Sequence, residues 1–303
     1  MKKGFKLFVK FFAIIMAVVC SLSMVGCREK IQNVSLEISV YDYENSKFYN
    51  IADTTMSIQL YSHLAPETCE AMKKYIQEGY YNNALIYQNK SYNQIMLGDL
   101  VVDGDAIEIL DGGKTTNIKL NDIKPEIKGE FEKGGVVGSN LTNQKGSIGL
   151  WRSWYKNGLS YTTSGAYNSG RATWFMPTID NNGFDDYFCV FALFDLEDES
   201  TSNAFSVLES LYKDADNYTE FTIFYTGEYD ASKKDENYGL TFHCVTSDYY
   251  DTLTEDDFVE LFGAKLFEAE GKQLVCFNKY EIKVANNGDG KCGAIVNKAN
   301  LVK

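Results

Sequence analysis

"IQLYSHLAPETCEAMKKYIQEGYYNNALIY", residues 58–87, carries the clearest signals of regular structure in the chain. Its first residues continue an alternating pattern that begins at Thr54, as expected of a half-buried strand. Pro66 then suits the first turn of a helix, and Glu67 favours the positive end of that helix. Gly79 marks the end of the helix. The apolar stripe at helical spacing between them consists of Ala71, Met72, Tyr75 and Ile76.

Strands dominate the rest of the first 226 residues. Val34–Asp42 alternates like a half-buried strand, whereas Tyr187–Phe194 is a nearly continuous apolar run typical of a strand buried on both faces. Ser202–Tyr212 predicts a second amphipathic helix, with Ser202 or Asn203 as its N-cap. The other predicted strands span residues 54–61, 85–96, 146–151, 173–177 and 220–226. Two helices among so many strands predict a mainly β fold, a closed antiparallel barrel with helices covering its ends.

A polar, unpatterned run at residues 227–239 predicts a domain boundary. Beyond it, a strand, a helix and another strand are predicted, and Thr254 and Asp257 stand at capping-box spacing before the helix. We therefore predict a barrel domain over residues 34–230 and a small α+β C-terminal extension over residues 238–303. The last barrel strand is either Glu220–Tyr225 or lies near "CGAIVNKANLV" at the C-terminus; the pattern fits both.

The N-terminus resembles a bacterial lipoprotein signal. Four lysines precede the apolar run Phe11–Val25, which is shorter than the ~20 residues of a spanning helix. The run ends in "SMVGC", so we predict a signal peptide over residues 1–26, a lipid on Cys27 and a tether over residues 27–33. The alternative is an uncleaved N-terminal anchor. Both place the chain outside the cytoplasm, held at a bacterial membrane.

Composition excludes several classes of function. The formal net charge of −13 would repel phosphate backbones, so we predict no nucleic-acid partner. The sequence has two histidines, His63 and His243, and no C-x-x-C motif, so we predict no metal site and no cofactor. Five cysteines remain after Cys20 and Cys27, which leaves room for one or two disulfides but indicates no disulfide framework.

Several ordered blocks make residues 34–226 similar to the cyclophilin family of peptidyl-prolyl isomerases. The strand–helix segment at residues 58–87 is similar to the family's Ala-Pro-x-Thr motif at the start of a helix and to its Gly-Phe-Tyr-Asp-Gly motif after that helix. The other blocks are "DGGK" (111–114), Glu130-Phe131, "KGSIGLWR" (145–152), "TWFMPT" (173–178) and "FDDYFCVFALF" (184–194). The resemblance implies a cyclophilin-like β-barrel, a groove on it, and isomerisation of peptide bonds that precede proline.

The resemblance also implies which residues line that groove, and several are altered. Without gaps, Gln88 stands where the family has its catalytic arginine, and Asn93 replaces a phenylalanine of the proline pocket. Thr173 replaces a substrate-binding glutamine, and Phe188 replaces a pocket histidine, while Gly183 stands in place of the pocket tryptophan. The substrate-binding positions that the resemblance implies are Tyr87, Asn93, Gln94, Met96, Trp151, Thr173, Phe175, Phe184 and Phe188.

Prolyl isomerisation needs no nucleophile, because a catalyst only has to favour the twisted amide over its planar ground states. A charged donor to the amide nitrogen acts mainly in the transition state, and charge-assisted hydrogen bonds are about twice as strong as neutral ones. Gln88 donates without charge, which predicts reduced activity. We hypothesise that Arg152, which maps to the groove rim, is a substitute donor; the alternative is a surface arginine in a long insertion.

These observations predict a membrane-tethered isomerase that assists protein folding through proline-containing segments, with reduced activity. The alternative is a non-catalytic cyclophilin-fold lipoprotein that binds peptides, and a third hypothesis is a structural or solute-binding lipoprotein. The aromatic insertion at residues 150–170 fits either an adaptable binding surface or a packed loop over the barrel end.

Overall fold

The structure is a computed structural model that describes residues 31–42, 47–92, 94–104, 107–110, 113–115, 117–135, 141–152, 155–156, 159–213, 218–226, 241–262, 277–285, 291–292 and 294–302. The predicted signal peptide, Cys27 and Asn93 lie outside these residues, as does the predicted boundary at residues 227–239. Within the described part, no helix is both long enough and apolar enough to cross a membrane.

The described chain is mainly β-structure. Numbered along the chain, the strands are β1 (Ile31–Asp42), β2 (Lys47–Tyr61), β3 (Ala84–Asn89), β4 (Gln94–Leu97), β5 (Leu100–Val102), β6 (Ile107–Glu108), β7 (Ile118–Leu120), β8 (Ser147–Arg152), β9 (Tyr155–Lys156), β10 (Leu159–Ser160), β11 (Gly170–Pro177), β12 (Val190–Phe194), β13 (Tyr218–Thr226), β14 (Thr241–Thr246), β15 (Phe277–Ala285), β16 (Lys291–Cys292) and β17 (Ala294–Leu301). The helices are α1 (Pro66–Gln77), α2 (Glu199–Leu211), α3 (Ser247–Thr252) and α4 (Glu255–Phe262).

Eight of these strands form a closed ring. Their order is β3–β17–β1–β2–β12–β8–β11–β4, and pairing of β3 with β4 returns the sheet to its start. Each of these pairings is antiparallel. The predicted closed antiparallel barrel is therefore confirmed. Closure leaves the ring without the open edges at which sheets otherwise associate.

Helices α1 and α2 pack against the barrel, as predicted. Met72 of α1 and Phe205 of α2 belong to the same hydrophobic core as barrel residues such as Trp174 and Phe191. Helix α1 has the predicted bounds, and Gly79 follows it with a φ of 73°, a left-handed conformation that suits glycine. The two helices thus bury their apolar stripes on one core shared with the strands.

The start of α2 differs from the prediction. The N-cap is Asp198, not Ser202 or Asn203, and its side chain accepts a hydrogen bond of 2.8 Å from the backbone N–H of Thr201. Thr201 is fully buried, and its hydroxyl oxygen accepts a 2.8 Å hydrogen bond from the backbone N–H of Ser57 in β2. This contact with the barrel requires Thr201 to lie inside the first turn, so the helix begins earlier than its apolar pattern indicates.

Glu130 caps helix α1 from a distant loop. Ala65, the N-cap residue, offers no side-chain acceptor. The Glu130 carboxylate instead accepts hydrogen bonds from the backbone N–H groups of Glu67, at 2.9 Å, and Thr68, at 2.7 Å, and the side chain is buried. A carboxylate at this end satisfies two unpaired donors and complements the helix dipole.

The C-terminal strand β17 completes the barrel. It pairs with β1, from Val34↔Leu301 onward, and with β3 at Ala84↔Val296. The alternative near "CGAIVNKANLV" is therefore the barrel strand, and Glu220–Tyr225 lies within β13, outside the ring. Residues 34–230 do not close the barrel without the last strand of the predicted extension.

Strands β13, β14 and β15 lie before β17 in the chain and extend the same sheet outward from β3. Strand β15 pairs with β13 and joins β3 at Lys283↔Gln88, while β14 pairs with the other edge of β13. The loop at residues 113–115 meets β14, because the Thr246 N–H donates to the Gly113 carbonyl at 2.8 Å. A Cβ at Gly113 would come within 2.3 Å of the Thr246 hydroxyl oxygen, so this close approach depends on glycine.

Between β14 and β15 the chain forms the helices α3 and α4, and one of the features predicted there is present. The predicted capping box before α4 is confirmed, since Thr254 N donates to the Asp257 carboxylate at 2.8 Å and Asp257 N to the Thr254 hydroxyl at 3.3 Å. The short helix α3 was not predicted, because one and a half turns give no readable period. The Thr246 hydroxyl caps it by accepting a 3.4 Å hydrogen bond from Tyr249 N.

Candidate functional site

Four neighbouring strands build the wall on which the predicted groove residues lie. Their register places Tyr87 of β3 opposite Met96 of β4, Met96 opposite Phe175 of β11, and Phe175 opposite Gly149 of β8. Residues paired across a sheet share a face, so these four residues form one row on the outer face of the barrel. Ala84, Ile86 and Trp174, on the alternate positions, belong to the interior core.

Four of the predicted substrate-binding residues form a compact cluster of aromatic rings on this outer face. The Phe184 and Phe188 rings stack with centroids 4.6 Å apart, and Phe175 meets Phe188 edge-on at 5.4 Å. Trp151 lies on Phe188 at 5.6 Å and on Phe175 at 5.7 Å. Rings in these arrangements attract each other beyond their burial. All four rings are at positions that the resemblance assigns to substrate binding.

Gly149 sets how closely Phe175 lies against the wall. A Cβ atom on Gly149 would stand 2.3 Å from the Cε1 and Cζ atoms of the Phe175 ring. Phe175 is completely buried between this glycine and the rings above it. The cluster therefore rests directly on the backbone of β8.

Gln88 lies on the opposite face of β3 from this cluster. Its partner in the sheet is Ile95, a residue of the interior core, whereas Tyr87 pairs with Met96 on the outer face. Gln88 is buried, with 6% of the residue exposed. The prediction that Gln88 acts in the groove therefore does not fit this register, because strand alternation turns position 88 toward the barrel interior and gives the groove face to Tyr87.

Arg152 does not reach the groove as a free donor either. Its guanidinium group donates hydrogen bonds to the backbone carbonyls of Tyr187, Tyr161 (3.0 Å) and Ala166 (2.8 Å), and the residue is 1% exposed. Its guanidinium carbon lies 4.5 Å from the centre of the Phe131 ring. Burial lowers the pKa of Arg152 to about 10. Arg152 is therefore not a surface arginine, and its hydrogen bonds to carbonyls leave it unsuited to act as the substitute donor.

Arg171 is engaged elsewhere. It donates a 2.7 Å hydrogen bond to the Lys124 carbonyl and lies 3.5 Å from the Glu126 carboxylate. Of the two arginines that the structure describes, Arg152 is the one beside the ring cluster, with its guanidinium carbon 5.5 Å from the centre of the Phe188 ring, and its hydrogen bonds to backbone carbonyls hold it there.

The remaining predicted site residues divide between the wall and its edges. Thr173 is partly exposed on β11, two residues from Phe175 and therefore on the same face. Gln94 is 3% exposed, and neither its amide oxygen nor its amide nitrogen has a hydrogen-bond partner among the described residues. Asn93 lies outside the described residues, so its predicted role stays a prediction.

Tyr87 is tied to an acidic residue that the sequence did not single out as functional. Its hydroxyl group donates to the Asp99 carboxylate, at 3.0 Å from Oδ1 and 2.8 Å from Oδ2. Burial raises the pKa of Asp99 from 3.8 to about 6, against hydrogen bonds from Tyr87 and from backbone N–H groups that lower it. The "GD" at residues 98–99, which matches the end of the family motif, was the sequence signal that could have identified Asp99.

Partly exposed aromatic side chains around the cluster were also missed. Tyr92, 37% exposed, meets Trp151 at 5.5 Å. Tyr161 contacts Phe188 at 5.7 Å and Tyr187 at 5.6 Å. The sequence marked residues 150–170 as aromatic-rich, but their contacts depend on folding that spacing does not reveal.

Strands β13 and β15 cover another part of the same wall. Phe221, Ile223 and Ile282 belong to one hydrophobic cluster with Leu85, Tyr87 and Met96. Ile282 belongs to β15, and its partner in the sheet is Asn89 of β3. The outer face of β3 is therefore packed rather than open along this side.

The described residues offer neither a metal site nor a reactive thiol. No group of three or more histidine, cysteine or acidic side chains within them could hold a metal ion. The described cysteines, Cys69, Cys189 and Cys244, are buried free thiols, and burial raises the pKa of Cys69 to about 12.

Few classes of protein combine a closed eight-stranded barrel with two packed helices and an aromatic wall. Sequence comparison identifies one of these classes. Residues 44–194 match the family model of cyclophilin type peptidyl-prolyl cis-trans isomerases. The chain belongs to the cyclophilin-type family. A comparison with curated protein sequences finds no match.

Two solved structures illustrate how distant the similarity is. Both are of a cyclophilin type peptidyl-prolyl cis-trans isomerase from Cryptosporidium parvum, and one was obtained in the presence of the dipeptide Ala-Pro. The first is 12% identical, covers 71% of this chain and 98% of its own, and has a TM-score of 0.36. The second is 11% identical, covers 71% and 97%, and has the same TM-score.

Proposed function

We propose that this chain is a lipid-anchored cyclophilin-like protein that engages proline-containing segments outside the cytoplasm, assists their folding, and has strongly reduced isomerase activity. The proposal combines the family fold, the aromatic wall and the N-terminal signal that predicts a lipid on Cys27. Its partners are polypeptide segments, and it requires no cofactor.

The observation that supports reduced activity is that Arg152 donates from its two terminal guanidinium nitrogens to backbone carbonyls, and Gln88 does not replace it because it faces the barrel interior. Because the Arg152 guanidinium is held by backbone carbonyls, the twisted amide would lose the charge-assisted hydrogen bond that favours it over the planar states. A loss of about 3 kcal/mol in barrier lowering corresponds to roughly a hundredfold in rate.

The same observation favours a second candidate, a non-catalytic peptide-binding lipoprotein. Binding needs only an apolar surface and backbone hydrogen-bond partners, whereas catalysis also needs a group that acts in the transition state. The two candidates share the ligand and differ only in whether bound peptides isomerise faster than free ones.

Isomerisation of a blocked Ala-Ala-Pro-Ala peptide, followed by NMR exchange spectroscopy, separates them. We expect binding that shifts the resonances of Trp151 and Phe188, with an acceleration at least a hundredfold below that of an arginine-bearing cyclophilin. Equal acceleration by the two proteins would overturn the reduced-activity proposal. No binding of this peptide would exclude both candidates.

The membrane anchor has its own test. In cells, Cys27→Ser should move the protein from the membrane fraction to the soluble fraction and remove the mass of the lipid from the mature chain. A membrane-bound Cys27→Ser protein that keeps residues 1–26 would instead support the uncleaved anchor.

A further inference from the structure

Three side chains with apolar surface lie together at the end of the barrel where β1 begins. Ile31, the first residue of β1, pairs with Tyr61 at the end of β2. Val302 lies beside them, because its N–H donates to the Asn33 carbonyl at 2.9 Å and its carbonyl accepts from Gln32 Nε2 at 2.6 Å. Ile31 is 41% and Val302 is 44% exposed, and Tyr61 is partly exposed. We call Ile31, Tyr61 and Val302 the entry patch.

The entry patch belongs to the outer face of the barrel. Val34 of β1 and Leu60 of β2 are part of the interior core, and Leu301 of β17 packs against that core. Each residue of the entry patch stands an odd number of positions from the inward-facing residue of its own strand. Because side chains alternate between the two faces of a strand, the entry patch points outward.

The strands that carry the entry patch lie across the barrel from the groove wall. In the closed ring, three strands separate β1 from β11 in either direction, and three also separate β2 from β4. Phe175 of β11 and Met96 of β4 belong to the row of groove residues on the outer face. A surface that covers the entry patch therefore leaves the groove wall on the far side of the barrel.

The length of chain before β1 indicates what covers the entry patch. Three residues, Arg28, Glu29 and Lys30, separate Ile31 from Cys27, which the proposed function places at the membrane through its lipid. An extended chain of this length reaches at most about 14 Å from Cys27 to Ile31. Each polar layer of a bilayer is roughly 5–8 Å deep. The anchor therefore holds the β1 end of the barrel at the lipid headgroups.

We propose that the entry patch rests on the membrane surface and that the aromatic groove wall faces away from the membrane. The partner is the interfacial layer of a lipid bilayer. Tyrosine is enriched at this level of membranes, and the Ile31 and Val302 side chains gain free energy by leaving water. The inference rests on the lipid anchor of the proposed function. It adds which side of the barrel the anchor turns toward the membrane and which side it leaves open to polypeptide partners.

Hydroxyl-radical footprinting read by mass spectrometry tests this orientation. The experiment compares wild type, anchored in vesicles of equal parts phosphatidylethanolamine and phosphatidylglycerol, with the Cys27→Ser protein in solution. The reference is Ile179, which is 71% exposed and follows β11 on the groove side of the barrel. Relative to Ile179, we expect oxidation of Ile31, Tyr61 and Val302 to fall several-fold in the anchored protein.

A pair of variants separates lipid contact from other causes of protection. Ile31→Asp places a charge in the entry patch and should restore the oxidation of Tyr61 and Val302 in the anchored protein, because a carboxylate resists leaving water. Ile179→Asp adds the same charge on the other side of the barrel and should leave the protection of the patch unchanged. Protection of Tyr61 and Val302 that survives Ile31→Asp would overturn the inference.

The outcomes also separate the orientation from the anchor. If wild type floats with the vesicles in a density gradient but its entry patch stays as reactive as in solution, the orientation is wrong while the anchor stands. Protection of Ile179 in place of the patch would overturn the orientation in the same way. If wild type does not float with the vesicles, the anchor fails and the orientation fails with it. Protection that grows with the concentration of the Cys27→Ser protein in solution would instead assign the patch to a second copy of the chain.

Discussion

The hydroxyl group of Tyr87 donates to the carboxylate of Asp99 at 2.8 Å, which joins the groove face of β3 to the "GD" turn after β4. Burial raises the pKa of Asp99 to about 6, so between about pH 4 and 6 the folded state holds a proton that the unfolded state has lost. The free energy of unfolding should therefore fall as the pH rises through this window.

We expect this loss to reach roughly 1–3 kcal/mol from pH 4 to pH 7, relative to Asp99→Asn, which cannot titrate. Urea unfolding of both proteins across this range measures it, and the difference between them removes the contributions of other carboxylates. Tyr87→Phe should extend the window to higher pH, because it removes a hydrogen bond that lowers the pKa of Asp99. Parallel pH profiles for wild type and Asp99→Asn would contradict the prediction.

Arg152→Ala should lower the free energy of unfolding by about 3–5 kcal/mol, because it leaves carbonyl groups without donors and opens a cavity beside Phe131. Arg152→Lys should recover only part of this, since an ammonium group cannot reproduce the guanidinium fork. Urea unfolding measures both changes. An Arg152→Ala protein of wild-type stability with a lost isomerisation rate would show that Arg152 acts as the substitute donor after all.

Gln88→Arg should not raise the rate of prolyl isomerisation. The new guanidinium would point toward the barrel interior beside Ile95, away from Phe175, and its burial should destabilise the fold by a few kcal/mol. Thr173→Arg adds the same charge at a partly exposed position on the groove face and serves as the matched control, with stability within about 1 kcal/mol of wild type. A faster Gln88→Arg protein would place position 88 in the groove.

The barrel was predictable from sequence because most of its strands have a recognisable local pattern of apolar residues. Alternation marked β1 and β2, a continuous apolar run marked β12, and Pro66 with Gly79 set the limits of α1. Pairing is not local: β17 meets β1 across more than 250 residues, and only the folded sheet shows that it, and not β13, closes the ring.

The site was less predictable, because its chemistry depends on register and burial. A gap-free comparison puts Gln88 at the arginine position, yet one residue along a strand reverses the face. In the same way, Arg152 looks available in the sequence and is enclosed in the structure by carbonyls that follow it in the chain. Residue identity alone does not show which face a side chain takes or which backbone groups surround it.

Gly149→Ala should disturb the ring cluster. The added Cβ would stand 2.3 Å from the Phe175 ring, which is buried and cannot move without shifting Phe188 and Trp151, so we expect a loss of about 1–3 kcal/mol. Gly183→Ala is the matched control, because its Cβ would meet only Asn181 Oδ1, at 3.5 Å. Thermal unfolding measures both, and equal effects would mean that Phe175 does not rest on the β8 backbone.

Glu130→Ala should destabilise the protein through helix α1. The Glu67 and Thr68 N–H groups would lose their acceptor where Glu130 and Thr68 are both buried, and water would not readily replace it. We expect a loss of about 2–4 kcal/mol by urea unfolding, since hydrogen bonds to a charged group contribute roughly 1.5–3 kcal/mol each. Glu130→Gln keeps one acceptor oxygen without charge and should lose about half as much. Hydrogen exchange should show the first turn of α1 opening more often than its last turn in Glu130→Ala. Uniform loss of protection along α1 would mean that Glu130 stabilises the fold generally rather than by capping this helix.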